Sequence, residues 1–234
     1  MSKTRDIQNS WAKCNIYIPI GGVGSRLRKG LKTFSLPSKC FIEYNNSTLL
    51  ESIVARTAFV ARKYHIIYCH KEQYDMSYKL LGDFYQGIPI VYVHNSSSNP
   101  YACLPVDEGC LAVMGDTFAP EDTFKTIVSV AEQEGKIVVL KLEPEIRSQP
   151  NCYYLLHNSH LIDYSKEKKD EYKIFDIGQV LYFPKSLIVE CLEKAITIDP
   201  LSMLHYYIKT TGIMCLDLNC ININTVEDFQ RVFK

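Results

Sequence analysis

The sequence predicts an α/β fold, a mixed, mostly parallel sheet flanked by helices. Short β-branched runs alternate with amphipathic segments, a glycine-dense turn follows the first run, and a later apolar run ends on Gly-Asp. Such alternation covers both faces of a sheet with helices and collects ligands at the carboxyl ends of the strands.

The first strand is Asn15-Ile-Tyr-Ile-Pro-Ile, and it enters Gly21-Gly-Val-Gly-Ser-Arg-Leu27. Thr48-Leu-Leu-Glu51 is a capping box for a helix through about Arg62, with Leu50, Ile53, Val54 and Ala58 at helical spacing. His65–Cys69 reads as a strand, Tyr74–Phe84 as a helix, and Ile88–Val93 and Cys110–Met114 as strands. A helix over about Pro120–Gln133 and a strand over Ile137–Lys141 continue the alternation. Beyond them come tyrosine-rich strands around Tyr153–Ile162 and Ile174–Phe183, and helices at Pro184–Ala195 and Pro200–Ile208. A strand near Met214–Leu218 precedes a last helix from Val226 to the end. The expected organisation is a polar tail over residues 1–13 and one domain over 14–234. Within it, an alternating α/β half covers about 14–142, and strands and helices added to it cover about 143–234.

The chain has 234 residues, 47% of them hydrophobic, and 26 basic residues balance 26 acidic ones. A net charge of zero gives no field for nonspecific binding to nucleic acid or an acidic membrane. No segment approaches the ~18 consecutive apolar residues of a membrane span. Nine cysteines, an odd number without Cys-x-x-Cys, fit reduced core thiols better than a disulfide framework. These observations predict a soluble, cytoplasmic protein.

Backbone amides freed by Gly21, Gly22 and Gly24 can approach a polyphosphate, and Arg26 and Lys39 can neutralise it. A strand-to-helix connection is the plainer role for such a turn. The dinucleotide fingerprint fails, because Leu27 stands where a third small residue is needed and Ile66-Ile-Tyr-Cys69 closes without an acid. The P-loop fails on spacing, since Leu31 separates Gly30 from Lys32. Met114-Gly115-Asp116 ends a strand on the same sheet edge as the glycine turn, where a carboxylate can hold Mg²⁺ against phosphate oxygens. Asp116 lies too early to cap the helix near Pro120. His157 and His160 would share a helical face only on a helix; in a strand-and-turn context they are structural.

Gly-Gly-x-Gly-x-Arg-Leu, the nearby lysine, Gly115-Asp116 and Asn222-Ile-Asn-Thr-Val-Glu-Asp-Phe229 together resemble the nucleoside-diphosphate-sugar pyrophosphorylase type of nucleotidyltransferase, from about Asn15 to Phe233. The resemblance implies a Rossmann-like, GT-A-like fold and transfer of a nucleoside monophosphate from an NTP to a small phosphorylated acceptor, releasing pyrophosphate. It implies that Gly21, Gly22, Val23, Gly24 and Ser25 wrap the triphosphate, that Arg26 and Lys39 are catalytic, and that Asp116 and Asn224 hold Mg²⁺. Two features depart from the family pattern. Ser38 is inserted between Pro37 and Lys39, and Asn222 and Asn224 stand where many relatives carry an aspartate, with Asp217 a potential substitute.

Ser96-Ser-Ser-Asn-Pro-Tyr101 stands where sugar nucleotidyltransferases carry a Gly-Thr-Ala-like turn. Asn99 there is similar to the phosphocholine cytidylyltransferase branch, which favours CTP over UTP and GTP. The resemblance also assigns Asp176 and Gly178 to the acceptor, with Glu167 and Lys168 nearby in what is otherwise a solvated charge run. A sugar 1-phosphate is the broadest acceptor, and phosphocholine or another phosphate ester the alternative. A catalytically silent binding relative is a rival, motivated by the asparagines. A glycosyltransferase ranks lower, for want of an Asp-x-Asp around Asp116.

Overall fold

The structure is a computed structural model and describes residues 13–22, 36–142, 152–197, 200–224, 228, 230 and 231. The predicted terminal helix falls mostly outside these residues.

β1 (Cys14–Pro19) is buried along nearly its whole length, with Ile16 and Ile18 facing one side of the sheet and Tyr17 the other. It lies between β4 (Ala61–Tyr68) and β7 (Cys110–Val113), parallel to both, and β6 (Ile88–His94) extends the parallel set beyond β4. Around this centre the sheet is mixed. β13 (Val180–Phe183) runs antiparallel to β7 and to β9 (Val138–Leu140), and β14 (Ile213–Leu216) runs parallel to β9. β10 (Tyr153–His157), β11 (His160–Ser165) and β12 (Lys173–Ile174) finish one edge, and β5 (Phe84–Tyr85) the other. Eleven strands form this one sheet among the described residues. The sequence expectation of a helix-flanked α/β sheet with a parallel centre holds.

Two side-chain layers hold the helices to it. On one face α1 (Leu49–Thr57) and α3 (Glu121–Glu134) bury Leu50, Ile53, Val54, Phe124, Ile127 and Val128 against Ile16 and Ile18, and α2 (Lys71–Leu81) adds Leu81. On the other, α4 (Lys185–Thr197) and α5 (Pro200–Thr210) bury Ile188, Cys191, Met203 and Tyr207 against Tyr17, Leu181 and Phe183. A fully buried aliphatic side chain of this kind contributes about 1.5–3 kcal/mol.

Several boundaries differ from the sequence reading, each because a tertiary pairing outcompetes local periodicity. α1 starts with the expected capping box between Thr48 and Glu51 but stops at Thr57 rather than near Arg62. The Thr57 hydroxyl donates back to the Ile53 and Val54 carbonyls, and the Cys14 amide takes the Val60 carbonyl into the sheet. β4 therefore begins at Ala61 instead of His65. α2 ends at Leu81, where Gly82 takes φ +64°, and Phe84 pairs with Pro89 instead of continuing the helix. The tyrosine-rich run is a hairpin, turned at Asn158 and Ser159 with φ of 47° and 63°, the left-handed pair a tight two-residue turn requires. His157 and His160 face each other across it. The span Ile174–Phe183 divides into β12 and β13, with Asp176 bridging to Leu142 between them. All nine cysteines are free thiols. No helix among the described residues is long and apolar enough to cross a membrane.

One buried group ties stability to pH. His65 on β4 has a ring Nε2 buried without a partner among the described residues, and burial, reinforced by Lys63 and opposed by Asp107, lowers its pKa to about 4. Between about 6.5 and 4 the unfolded chain therefore binds the proton that the native state refuses, so stability drops as the pH is lowered through that window. His65→Gln should unfold with a stability difference from wild type that is constant above pH 6.5, shifts in favour of the variant down to about pH 4, and levels off below. Urea titrations at stepped pH check this, and parallel curves would refute it.

Candidate functional site

Four parallel strands end side by side, so the segments leaving β7, β1, β4 and β6 crowd one edge of the sheet. They enclose a cavity of about 450 Å³ walled by Gly21 and Gly22 after β1, Cys69 and His70 after β4, Asn95, Ser97 and Ser98 after β6, and Met114, Gly115 and Asp116 after β7. Ser38, Lys39 and Gln179 also line it.

Close approach explains two of the glycines. A Cβ on Gly115 would stand 2.9 Å from the Pro19 carbonyl oxygen, which the Gly115 amide binds at 3.0 Å. A Cβ on Gly21 would stand 2.6 Å from the Cys69 sulfur. Backbone from β1 thus packs directly on the β7 end, and at Gly21 it packs on the Cys69 side chain at the β4 end.

Lys39 opens a single 3-10 turn (Lys39–Phe41) and is 7% exposed. Its neighbour Ser38 donates its hydroxyl to the Gly22 carbonyl at 2.9 Å, and the Lys39 amide reaches the same oxygen at 3.3 Å. The ammonium forms a salt bridge with Asp116 and donates to Asn224 Oδ1 at 2.6 Å. A short antiparallel pair delivers that third residue. β15 (Ile221–Asn222) binds β8 (Thr117–Phe118), the Ile223 amide takes the Asp116 carbonyl at 2.8 Å, and Asn224 follows. The Asn224 amide is held in turn by the Asp228 carboxylate at 3.0 Å.

A second cavity of about 310 Å³ adjoins the first and shares Pro100, Met114 and Gln179 with it. Because β13 is antiparallel to β7, the residues entering β13 lie at the edge where β7 ends, which places Asp176 and Gly178 on this wall. Apart from Gln179 and Cys152 the rest of the wall is aromatic and aliphatic, with Tyr154 and Phe175 stacked at 5.1 Å. The Tyr101 hydroxyl donates to the Gly178 carbonyl at 2.9 Å, and the Tyr17 hydroxyl to the Pro100 carbonyl at 2.6 Å. Both rings are buried, so the loop after β6 is pinned from below and to the second cavity.

The structure therefore brings Gly21, Gly22, Lys39 and Asp116 together on one cavity, joins Asn224 to Lys39, and puts Asp176 and Gly178 on the other. Val23, Gly24, Ser25 and Arg26 lie outside the described residues. Asn99 does not line either cavity; its side-chain oxygen accepts from the Tyr101 amide at 3.0 Å and shapes its own loop, leaving Asn95, Ser97 and Ser98 on the wall. Asp217 is exposed and pairs with Lys141 at 2.6 Å, away from Lys39. Lys168 and Glu167 are exposed in the turn after β11. Sequence reasoning missed Asn95 and Gln179 on the cavity wall. The strand-end rule applied to β6 would have found Asn95; Gln179 reaches the edge because β13 runs antiparallel to β7, which no local pattern shows.

Lys39→Met should lower stability by about 1–3 kcal/mol, since it strands a largely desolvated carboxylate, and adding Asp116→Asn should recover much of the loss. Urea midpoints of the two variants check this, and an unchanged midpoint for Lys39→Met would show that the contact holds nothing together.

No family model matches the sequence, and no curated protein matches it. Solved structures do share its architecture. A Bacillus anthracis protein described as a glucose-1-phosphate thymidylyltransferase, in complex with sucrose, superposes with a TM-score of 0.73 at 15% identity, over 94% of this chain and 93% of that one. The inositol-1-phosphate CTP transferase of T. maritima superposes with a TM-score of 0.68 at 18% identity, over 95% and 94%. Over nearly its whole length the chain has the α/β fold of these nucleotidyltransferases.

Proposed function

We propose that the chain transfers a nucleoside monophosphate from an NTP to a small phosphorylated acceptor, with release of pyrophosphate. The observation that carries this reading is the buried Lys39 ammonium, held by Asp116 and Asn224 beside Gly21 and Gly22 at the strand ends, in a cavity that shares wall residues with a second one. The triphosphate takes the first cavity, with the segment Gly21 to Arg26 around it. The acceptor takes the second, against Asp176 and Gly178. An acceptor phosphate oxygen then forms a bond to the α-phosphorus as the bond to the β-phosphate bridging oxygen breaks and pyrophosphate departs. Holding both reactants in line, with Lys39 and Arg26 offsetting charge on the α-phosphate and the leaving group, supplies the catalysis.

Asp116 and Asn224 are suited to a divalent cation, because their side-chain oxygens already converge on one positive atom, the Lys39 nitrogen. Together they supply one charge and two hard oxygen donors, and the described residues hold no cluster of three or more His, Cys, Asp or Glu that could bind a metal ion. A Mg²⁺ held there would take most of its ligands from phosphate and water, as this ion generally does, and would neutralise charge on those phosphate oxygens.

The neighbouring structures bear the names of a CTP transferase and a thymidylyltransferase, both acting with a 1-phosphate, which favours a pyrimidine NTP here. CTP with a sugar 1-phosphate is the first pairing to test. A second reading, a phosphate ester with an ammonium head such as phosphocholine, draws on the stacked Tyr154 and Phe175 and the Asp176 carboxylate in the second cavity.

Pyrophosphate release should be measured with Mg²⁺ across CTP, UTP, GTP, ATP and dTTP, each against sugar 1-phosphates, phosphocholine and related esters. Release is expected with CTP and one acceptor, lost on chelation of the metal and reduced about 10²-fold or more in Lys39→Ala and in Arg26→Ala. Silence from folded protein with every pair, together with no nucleotide-induced thermal shift, would reject the proposal. A shift without turnover would favour the silent binding relative. Asn224→Asp adds a carboxylate and should tighten Mn²⁺ binding in the presence of nucleotide, read by electron paramagnetic resonance; unchanged affinity would remove Asn224 from the metal site.

A further inference from the structure

Gln73 sits on α2 beneath the first cavity, fully buried and outside its lining. Its carboxamide is used at both ends. The oxygen accepts from the Cys69 amide at 2.9 Å and the His70 amide at 3.2 Å, while the nitrogen donates to the Gly21 carbonyl at 3.4 Å and the Pro37 carbonyl at 3.2 Å. The partners are main-chain groups of fixed polarity, so the orientation of the amide is unambiguous and its hydrogen-bonding capacity is filled.

Those contacts join three segments that are separate along the chain: the glycine turn after β1, the Pro37-Ser38-Lys39 stretch and the β4–α2 turn. Two of them are also tied to each other, through the Ser38 hydroxyl and Lys39 amide on the Gly22 carbonyl. A helix-capping role accounts for the oxygen, which meets the His70 amide as a glutamine in the first turn of a helix does. It does not account for the nitrogen, which reaches out of the helix to the two segments that carry the phosphate-facing groups. Resting on the reading of the first cavity as the triphosphate site, we infer that Gln73 is the positioning residue that fixes Lys39 relative to the glycine turn, and so sets NTP affinity without touching the nucleotide.

The test compares Gln73→Glu, which keeps the two acceptor bonds and loses the two donor bonds, with Gln73→Met, a neutral side chain of similar size that loses all of them. Both should raise KM for the NTP about tenfold or more and weaken calorimetric binding of inorganic tripolyphosphate alike, with KM for the acceptor nearly unchanged. The Glu variant should recover NTP affinity as pH falls and its carboxyl gains a donor hydrogen, while the Met variant should not. NTP and tripolyphosphate affinities equal to wild type, or a parallel loss for NTP and acceptor, would overturn the inference. Should neither variant fold, the assigned side-chain amide resonance of Gln73 in ¹⁵N-labelled wild type decides: a shift on adding tripolyphosphate supports it, and an unmoved resonance overturns it. Failure of wild type to bind tripolyphosphate or any NTP would instead overturn the triphosphate reading, and this inference with it.

Discussion

One buried cation organises the functional edge of the molecule. The Lys39 ammonium bonds to Asp116, 77 residues on, and to Asn224, 185 residues on, so segments from the start, middle and end of the chain meet at one nitrogen. Desolvating an ammonium is expensive, and the pairing offsets that cost only with an opposite charge and a further acceptor in good geometry. Asp116 supplies the charge and Asn224 the dipole. The trio is neutral as it stands, whereas an aspartate at position 224 would leave a net negative charge against one ammonium. The asparagine is therefore consistent with an arrangement in which the lysine holds the two oxygens together and any divalent ion is secured mainly by the phosphates it accompanies.

The sheet explains why those segments meet. Parallel strands put all their carboxyl ends on one side, which gives β7, β1, β4 and β6 a common rim. A fifth contribution needs the opposite direction, and β13 supplies it by running antiparallel to β7, so that the residues entering it, Asp176 to Gln179, reach the same rim. The Met114 amide bonds the Gln179 carbonyl at 2.9 Å, fixing where one cavity ends and the other begins. The mixed character of the sheet is what sets two cavities side by side.

Much of this was legible in the sequence, and the exceptions have physical causes. The glycine turn, Lys39 and Asp116 could be placed because strand ends are visible in apolar runs and ligands gather there. Asn224 and Asp176 needed a family resemblance, since nothing in local pattern shows which loop returns to the rim. Asn99 was read for residue type, yet its side chain closes an Asx turn onto Tyr101, a local competition that composition cannot separate from ligand contact. The end of α1 was misplaced because helical periodicity continues past Thr57 while the β-sheet takes Val60 and Ala61. Gln73 was invisible for a related reason. Its side chain has four main-chain partners on three segments, and no spacing rule in one dimension encodes that.

The thiols near the site bear on how a transfer could run. A covalent route through the protein needs a nucleophile, and cysteine is the strongest type present. Burial, with the Asp116 charge a smaller contributor, pushes the Cys40 thiol up to about 12, and burial likewise raises Cys69 on the cavity wall. Both are protonated at neutral pH, and a thiol is a far weaker nucleophile than a thiolate. The other polar groups lining the cavity among the described residues are main-chain amides, small polar side chains, the His70 ring, one lysine engaged by its partners and one carboxylate engaged by that lysine. Most of that set is suited to positioning and neutralising charge. Under the proposed function, two adjoining cavities that share Met114 and Gln179 suit direct displacement between two bound ligands, in which the phosphorylated acceptor would bring its own nucleophile and the protein would supply alignment and charge.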